Sequence, residues 1–264
     1  MLGGPLLNLL ATSWIAVLVE RDEAQVVYPF DPVRTAPMDA GLIGFSELEF
    51  AASDGTELVV WTHPPASGQP VILYLPGNAG TLAGRATRFQ TIAHMGYGLV
   101  TMAYRGSSGS GGSPDESLLT ADAIALAERL ALIAPGAPVV LYGESLGSAL
   151  AVRIAAAETV SGIVLEAPFT TFPEIVAAQF PRETGLAEMF TQIWDNRALI
   201  GKVTEPLLIL HGTGDRMVPF EQGEELLARA GSTNKSLFAI TDARHDEMWT
   251  PATQQALYHF LDSL

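Results

Sequence analysis

Short apolar runs alternate with longer segments of helical periodicity over most of the chain. Val71–Leu75 and Val139–Tyr142 are continuous apolar runs, which is typical of strands buried on both faces of a sheet. Segments with helical periodicity separate these runs, and one of them, Asp115–Ile133, is closed by Pro135-Gly136. The alternation predicts a mostly parallel sheet with helices packed on both of its faces.

The pattern predicts about eight strands. They are Glu47–Phe50, Leu58–Thr62, Val71–Leu75, Leu99–Tyr104, Val139–Tyr142, Gly162–Glu166, Pro206–His211 and Ser236–Ile240. The first two flank the turn signal Ser53-Asp54-Gly55 and are predicted to form an antiparallel hairpin at the edge of the sheet. Helices are predicted at about Leu82–Met95, Asp115–Ile133, Leu146–Glu158 and Glu221–Ala230, and from Pro251 onwards.

Two segments interrupt the alternation. Residues 168–199, rich in aromatic side chains, are longer than one crossover helix needs and are predicted to form a small cap after the sixth strand. The alternative is one packed helix followed by a loose connection. The Gly/Ser-rich loop 105–113 lacks the glycine spacing of phosphate-binding loops, so we expect a tight loop below the functional site.

The N-terminal segment has two interpretations. Residues 1–19 are uncharged and largely apolar, and the run ends abruptly at Glu20. The length suits a membrane anchor, which would make the protein membrane-anchored rather than cytoplasmic. The other interpretation is a helix packed on the domain or on a partner subunit. We therefore separate residues 1–22 from a single domain at 23–264.

Composition narrows the function classes. The chain has 264 residues, of which 48% are hydrophobic and 16% charged, as expected for one large folded domain. Its 29 acidic side chains outnumber 14 Lys and Arg, and the net charge of −15 argues against a nucleic-acid partner. The absence of cysteine excludes disulfides, thiol catalysis and cysteine-ligated metals. No metal or cofactor is predicted.

A nucleophile is predicted at Ser145. Gly143–Gly147 reads Gly-Glu-Ser-Leu-Gly, and it lies between an apolar strand and a helix rich in alanine. This is the setting of a nucleophile turn, in which a strained backbone raises the serine hydroxyl above the sheet. Larger side chains two residues before or after the serine would collide in such a turn, which explains the two glycines.

A base and an acid are predicted farther along the chain. His245 lies in the loop before the last helix, and a neutral imidazole there can take the proton of a serine hydroxyl. Asp215, after the strand Pro206–His211, is predicted to orient the imidazole, with Glu166 as the alternative acid. His211 is expected to brace the loop that follows it.

Two backbone amides are predicted to stabilise an oxyanion. One belongs to Leu146, directly after the nucleophile, and the other to Asn78 in the loop 76–80. Substrate contacts are predicted from Phe169 and Phe172 in the cap and from Glu144 beside the serine.

Several motifs together resemble the α/β-hydrolase superfamily, and within it the Bem46-like and ABHD13-like group. They are Leu75–Gly80, Tyr104-Arg105-Gly106, Gly143–Gly147, Glu166–Thr170, His211-Gly212 with Asp215, and His245-Asp246. The resemblance runs from about Gly44 to the C-terminus and implies the α/β-hydrolase fold and ester hydrolysis. Members of the group commonly begin with an apolar segment that reads as a membrane anchor. Pro76 stands where the group usually has histidine, which places the geometry of that loop in question.

The expected function is that of a serine hydrolase, a carboxylesterase that cleaves short- to medium-chain acyl esters of small molecules. A thioesterase, a monoacylglycerol lipase or a peptidase would use the same residues. A dehalogenase is disfavoured because it needs a carboxylate in place of Ser145. The rival from another class is a non-catalytic binding protein that keeps the fold.

Overall fold

An eight-stranded sheet forms the centre of the computed structural model, which describes the backbone of residues 5–264 and the side chains of residues 15–264. The strands are β1 (Ser46–Ala51), β2 (Glu57–His63), β3 (Val71–Leu75), β4 (Gly98–Met102), β5 (Val139–Glu144), β6 (Gly162–Glu166), β7 (Leu207–Gly212) and β8 (Lys235–Ile240). Their order in the sheet is β1-β2-β4-β3-β5-β6-β7-β8. The β1–β2 and β2–β4 pairs are antiparallel and all the other pairs are parallel, which confirms the predicted sheet and its edge hairpin.

The α-helices of the described residues are α1 (Pro5–Val27), α2 (Ala86–His94), α3 (Glu116–Ile133), α4 (Leu146–Ala155), α5 (Phe172–Gln179), α6 (Phe220–Arg229) and α7 (Pro251–Asp262). Helix α2 starts later than predicted because a 3-10 turn at Ala83–Arg85 precedes it. Helix α3 starts where expected, since the Asp115 carboxylate accepts hydrogen bonds from two free amides of its first turn.

Each face of the sheet has its own apolar core, because successive side chains of a strand point to opposite faces. On β3, Leu73 packs with apolar residues of α3 and α4. Its neighbour Ile72 packs on the other face with residues of α2 and α7. Helices therefore cover both faces, as the pattern of buried strands predicts. The catalytic candidates all follow strands at the carboxyl edge of this sheet.

The N-terminal segment packs on the domain. Helix α1 is kinked at Asp22, and the Glu23 carboxylate after the kink accepts hydrogen bonds from the amides of Thr191 (2.7 Å) and Gln192 (2.8 Å). Val27 and Tyr28 are buried in the core. The predicted membrane anchor is wrong, since no helix within residues 5–264 combines the length and apolarity needed to span a bilayer.

The cap segment, residues 168–199, connects β6 to β7. It contains α5 and a 3-10 turn at Ala187–Met189. Its last part is tied down by Trp194, which is fully buried and donates a hydrogen bond from its indole N–H to the Tyr28 hydroxyl (2.9 Å). The side-chain amide of Asn196 donates to the Phe169 carbonyl (2.8 Å). The cap is thus fastened both to the chain after α1 and to its own start.

A buried ion pair secures the loop 105–113. Arg105 donates from Nε to the Asp122 carboxylate on α3 (2.7 Å) and from Nη1 to Asp54 in the β1–β2 turn (2.6 Å). The Arg105 and Asp122 side chains are only 3% and 2% exposed. Just before the loop, the Tyr104 hydroxyl donates to the Pro76 carbonyl (2.7 Å), which connects this region to loop 76–80.

We predict that Asp122→Ala lowers the free energy of unfolding by about 3–5 kcal/mol, because the Arg105 guanidinium is left buried without its main partner. The control is Glu225→Ala, since Glu225 pairs with Arg197 and Arg229 at the surface and is 33% exposed. That change should cost less than about 1 kcal/mol. Urea unfolding measures both, and equal losses would contradict a structural role for the buried pair.

Candidate active site

Ser145 occupies a strained turn between β5 and α4. Its backbone has φ 50° and ψ −112°, a region that costs a residue with a side chain of the order of 1–3 kcal/mol. The Ser145 amide donates to the carbonyl of Glu166 at the end of β6 (2.8 Å), which holds the turn against the neighbouring strand. The turn therefore lifts the hydroxyl clear of the sheet, as the motif predicts.

The two glycines of the motif are required by close backbone packing. A Cβ atom on Gly147 would lie 1.9 Å from the carbonyl oxygen of Leu75 at the end of β3. A Cβ atom on Gly143 would lie 2.4 Å from the carbonyl oxygen of Gly147. Real atoms do not approach this closely, so any side chain at either position would push α4 away from the sheet.

The structure brings the three predicted catalytic residues together. His245, in the loop between β8 and α7, has its Nε2 atom 3.1 Å from the Ser145 hydroxyl oxygen. Its Nδ1 atom is 2.8 Å from a carboxylate oxygen of Asp215, in the loop after β7. A neutral imidazole protonated at Nδ1 satisfies both contacts, since it donates to the carboxylate and accepts from the hydroxyl.

Asp215 is set to remain ionised. Its carboxylate is fully buried, and its other oxygen accepts hydrogen bonds from the amides of Met217 (2.8 Å) and Val218 (2.9 Å). Burial by itself raises the pKa of Asp215, but hydrogen bonds from His211 and His245 outweigh it, and the pKa lies below its usual range.

The Asp215 carboxylate in turn makes His245 more basic. Burial of the ring lowers the pKa of His245, whereas the hydrogen bond and the negative charge of Asp215 raise it. The net pKa lies above the ordinary histidine value of 6.5. The raised pKa makes the neutral ring a stronger acceptor for the proton of the serine than an ordinary histidine.

Glu166, the alternative acid, and His211, the other histidine near the site, have other partners. Glu166 accepts hydrogen bonds from Arg88 (2.9 and 3.0 Å) and from the Tyr142 hydroxyl, and no hydrogen bond joins it to His245 within residues 15–264. The His211 Nε2 atom is 3.1 Å from the Val218 carbonyl oxygen and 3.5 Å from Asp215. His211 therefore holds the loop that carries Asp215.

The two predicted oxyanion donors lie beside the serine. Leu146 and Asn78 line the same cavity as Ser145, and neither of their backbone amides donates to another group within the described part of the chain. The Asn78 side chain donates to the Val27 carbonyl (2.9 Å), while Pro76 accepts from Tyr104. Loop 76–80 is thus held on both sides although Pro76 replaces the group's usual histidine.

An apolar cavity of about 370 Å³ opens from Ser145 towards the cap. Phe169 and Phe172, the two aromatic residues predicted to contact substrate, lie in its wall. Sequence reasoning missed the contribution of α1, because its apolar residues gave no sign of facing a cavity rather than lipid. The remaining apolar wall residues, besides Leu146, are Ile15, Leu18, Val26, Pro29, Ala79, Ile175, Val176, Phe180, Phe190, Met217 and Val218.

A second cavity of about 460 Å³ adjoins loop 76–80 and is lined by His245; most of its lining residues are polar or charged, and we call it the polar cavity. Glu144 faces this cavity and not the apolar one. Its carboxylate is bound by Arg85 through Nε (2.7 Å) and Nη2 (2.8 Å), a partner that nothing in the motif indicates. Within the described residues, no cluster of three or more His, Asp or Glu side chains is arranged to hold a metal ion.

Comparison with known proteins identifies the family. The serine aminopeptidase S33 model matches residues 67–199 and 180–249. The lysophosphatidylserine lipase ABHD12 of Gallus gallus is 30% identical over 263 residues, covering 84% of this chain and 68% of the lipase. The bem46 protein of Schizosaccharomyces pombe is 30% identical over 199 residues, covering 72% of this chain and 66% of bem46.

Solved structures agree on the fold. The esterase Pf2001 of Pyrococcus furiosus superposes with a TM-score of 0.74 over 89% of this chain and 96% of the esterase, at 18% sequence identity. At that identity the likeness concerns the fold and not the substrate. The chain is an α/β hydrolase, and it belongs to the serine aminopeptidase S33 family.

Proposed function

We propose that the protein is a serine carboxylesterase that cleaves esters of short- to medium-chain fatty acids. The observation that carries this proposal is the hydrogen-bonded series from Ser145 through His245 to Asp215, with an apolar cavity opening at the serine. The fold alone hosts many activities, so the argument rests on this arrangement. A non-catalytic binding protein would not need the strained backbone at Ser145 or the buried carboxylate of Asp215.

The mechanism follows from the hydrogen bonds. The Ser145 oxygen attacks the ester carbonyl carbon while its proton passes to His245 Nε2. The oxyanion accepts hydrogen bonds from the amides of Leu146 and Asn78. As the tetrahedral intermediate collapses, the bond between the carbonyl carbon and the alcohol oxygen breaks, and His245 gives its proton to that oxygen. Water, deprotonated by His245, then releases the acid from the acyl-serine and restores the enzyme.

The ionic groups of the site favour an ester over a peptide substrate. An aminopeptidase binds a free ammonium group, and a buried ammonium needs an unpaired carboxylate as partner. The two carboxylates beside the triad, Glu144 and Glu166, are already paired with Arg85 and Arg88. The apolar cavity, by contrast, suits the acyl chain of a fatty acid.

We predict that Ser145→Ala lowers kcat/KM for p-nitrophenyl butyrate by a factor of about 10⁴ to 10⁶, because the nucleophile is lost. The thermal unfolding temperature should stay the same, since His245 is the only hydrogen-bond partner of the Ser145 hydroxyl among residues 15–264. Ser263→Ala is the control, as that hydroxyl donates to the Phe260 carbonyl near the C-terminus and should be dispensable. Substantial turnover by the Ser145→Ala protein would refute the assignment.

The pH dependence follows from the raised pKa of His245. Only the neutral ring accepts a proton, so kcat/KM should rise with pH and level off above an inflection that lies higher than 6.5. In Asp215→Asn the carboxylate charge is lost, so the inflection should move to lower pH and the plateau should fall by about 10⁴. Rates measured between pH 5 and 9 test both shifts, and an inflection indifferent to Asp215→Asn would count against the pairing.

The apolar cavity predicts how chain length affects the rate. Val176, which is 6% exposed, lies on α5 in the cavity wall, and Val176→Trp would fill space needed by a longer acyl chain. Each methylene group that stays in water instead of entering the cavity loses about 0.8 kcal/mol of binding free energy. Excluding two or three methylene groups from the cavity should therefore lower kcat/KM for the octanoate ester roughly 10- to 60-fold. Acetate turnover should change little.

Val33→Trp is the matched control for this change, because Val33 is 60% exposed and outside the cavity wall. It should leave the ratio of octanoate to acetate turnover as in the unmodified protein. If Val176→Trp also leaves this ratio unaltered while the protein remains folded, the acyl chain does not occupy the apolar cavity.

A further inference from the structure

We infer that the polar cavity beside His245 binds the alcohol part of the ester, and that this alcohol is an uncharged, hydroxylated group of about the size of glycerol. The inference rests on the proposed esterase function and deepens it. It concerns the cavity of about 460 Å³, whose lining includes Thr81, Arg85, Glu144 and His245.

The position of the cavity decides which half of the substrate it receives. His245 must deliver a proton to the departing oxygen, so the alcohol leaves on the side of the nucleophile where the ring lies. The ring lines the polar cavity and is not part of the apolar cavity wall. Ala79, in loop 76–80, lines both cavities, so the two cavities adjoin at the loop that carries the predicted donor Asn78. An ester bound where the two cavities adjoin, between Ser145 and His245, would have its acyl chain in the apolar cavity and its alcohol in the polar one.

The cations of the polar cavity are already neutralised. Arg85 binds the Glu144 carboxylate through two nitrogens, and Arg85 Nη1 donates to the Ala79 carbonyl (3.0 Å). Arg88 binds both oxygens of Glu166, and its guanidinium carbon lies 4.6 Å from the centre of the Trp249 ring. A phosphate or carboxylate on the alcohol would have to break one of these pairs, at the cost of leaving a carboxylate unpaired.

The remaining charge in the wall is negative. The Asp246 side chain is 78% exposed at the cavity, and Arg244, 4.0 Å from it, is itself paired with Glu247 (2.9 Å). An anionic alcohol would therefore meet a like charge and no free cation among the lining residues. The Trp249 ring, the usual partner of a quaternary ammonium, is already covered by Arg88. An uncharged alcohol with several hydroxyl groups meets neither obstacle.

The polar lining also argues against a bulky apolar alcohol. The carboxylate oxygens of Glu144 and the hydroxyl groups of Thr81 and Thr87 are acceptors for hydroxyl donors at the cavity wall. An apolar group would cover these atoms without replacing their hydrogen bonds to water, which is unfavourable.

The test compares octanoyl esters that share the acyl chain and differ in the alcohol. The substrates are 1-monooctanoylglycerol, 1-octanoyl-lysophosphatidylserine and octanoylcholine, each below its micellar concentration, with p-nitrophenyl octanoate as the reference. We expect kcat/KM to be at least about tenfold higher for the glycerol ester than for the anionic lysophosphatidylserine ester, because Asp246 repels a like charge. It should also be higher than for octanoylcholine, because Arg88 already stacks on the Trp249 ring. Equal or higher values for a charged ester would overturn the inference.

A charge variant tests the cause. Glu144→Gln frees the Arg85 guanidinium, so the rate for the lysophosphatidylserine ester relative to the glycerol ester should rise about tenfold. Glu225→Gln changes the net charge equally but lies on α6, where Glu225 pairs with Arg197 and Arg229, and it should leave the ratio unchanged. Equal shifts in both variants would show a general charge effect and overturn the local explanation.

Two further measurements keep the outcomes separable. If thermal unfolding shows that Glu144→Gln is not folded, Asp246→Asn takes its place. The rate for the lysophosphatidylserine ester relative to the glycerol ester should then rise severalfold, because a negative charge that repels the anionic ester is removed. An unchanged ratio would overturn the inference. Absence of p-nitrophenyl octanoate hydrolysis would overturn the proposed function itself. Hydrolysis of that ester together with a preference for the anionic alcohol would overturn only the present inference.

Discussion

The first turn of α4 packs directly against the carbonyl groups at the end of β3, and the site depends on this contact. It exists only because Gly143 and Gly147 lack side chains, since a Cβ atom on Gly147 would lie 1.9 Å from the Leu75 oxygen. The close packing keeps Ser145 at a positive φ and points the start of α4 at the space above the sheet. It also brings loop 76–80, which directly follows β3, next to the serine.

The carboxylates of the site are each paired with a basic side chain. The protein carries a net charge of −15, yet the carboxylates nearest the nucleophile each have a defined partner. Glu144 and Glu166 are paired with Arg85 and Arg88, whereas Asp215 is the carboxylate that is hydrogen-bonded to His245. Because the buried Asp215 stays ionised, the imidazole is held in one orientation and is more basic than an ordinary histidine.

The triad and the sheet could be predicted from the sequence because their signals are local. Strand β3 has the predicted bounds, and the serine motif sits at the predicted junction of strand and helix. His245 and Asp215 follow from the order of loops in this fold. Helix ends were less predictable, and α4 stops at Ala155 rather than at Glu158, since hydrophobic periodicity does not mark where the last hydrogen bond forms.

The sequence left the role of α1 open between a membrane anchor and a packed helix, because its interactions are distant in sequence. An apolar run has the same composition whether it faces lipid or a protein groove, and Glu23 binds Thr191 and Gln192 in the cap, which no short-range pattern reveals. The partner of Glu144 was missed for the same reason, since Arg85 lies on a different element. Long-range contacts of this kind determine the shape of both cavities.

We propose that Ser145 is made nucleophilic by His245 beside it. Treatment of the native protein with a fluorophosphonate, followed by peptide mass spectrometry, locates the reactive hydroxyl directly. The account predicts a single stoichiometric adduct on Ser145, and its rate of formation should fall sharply in a His245→Ala variant. An adduct on another residue, or no adduct on folded protein, would contradict it.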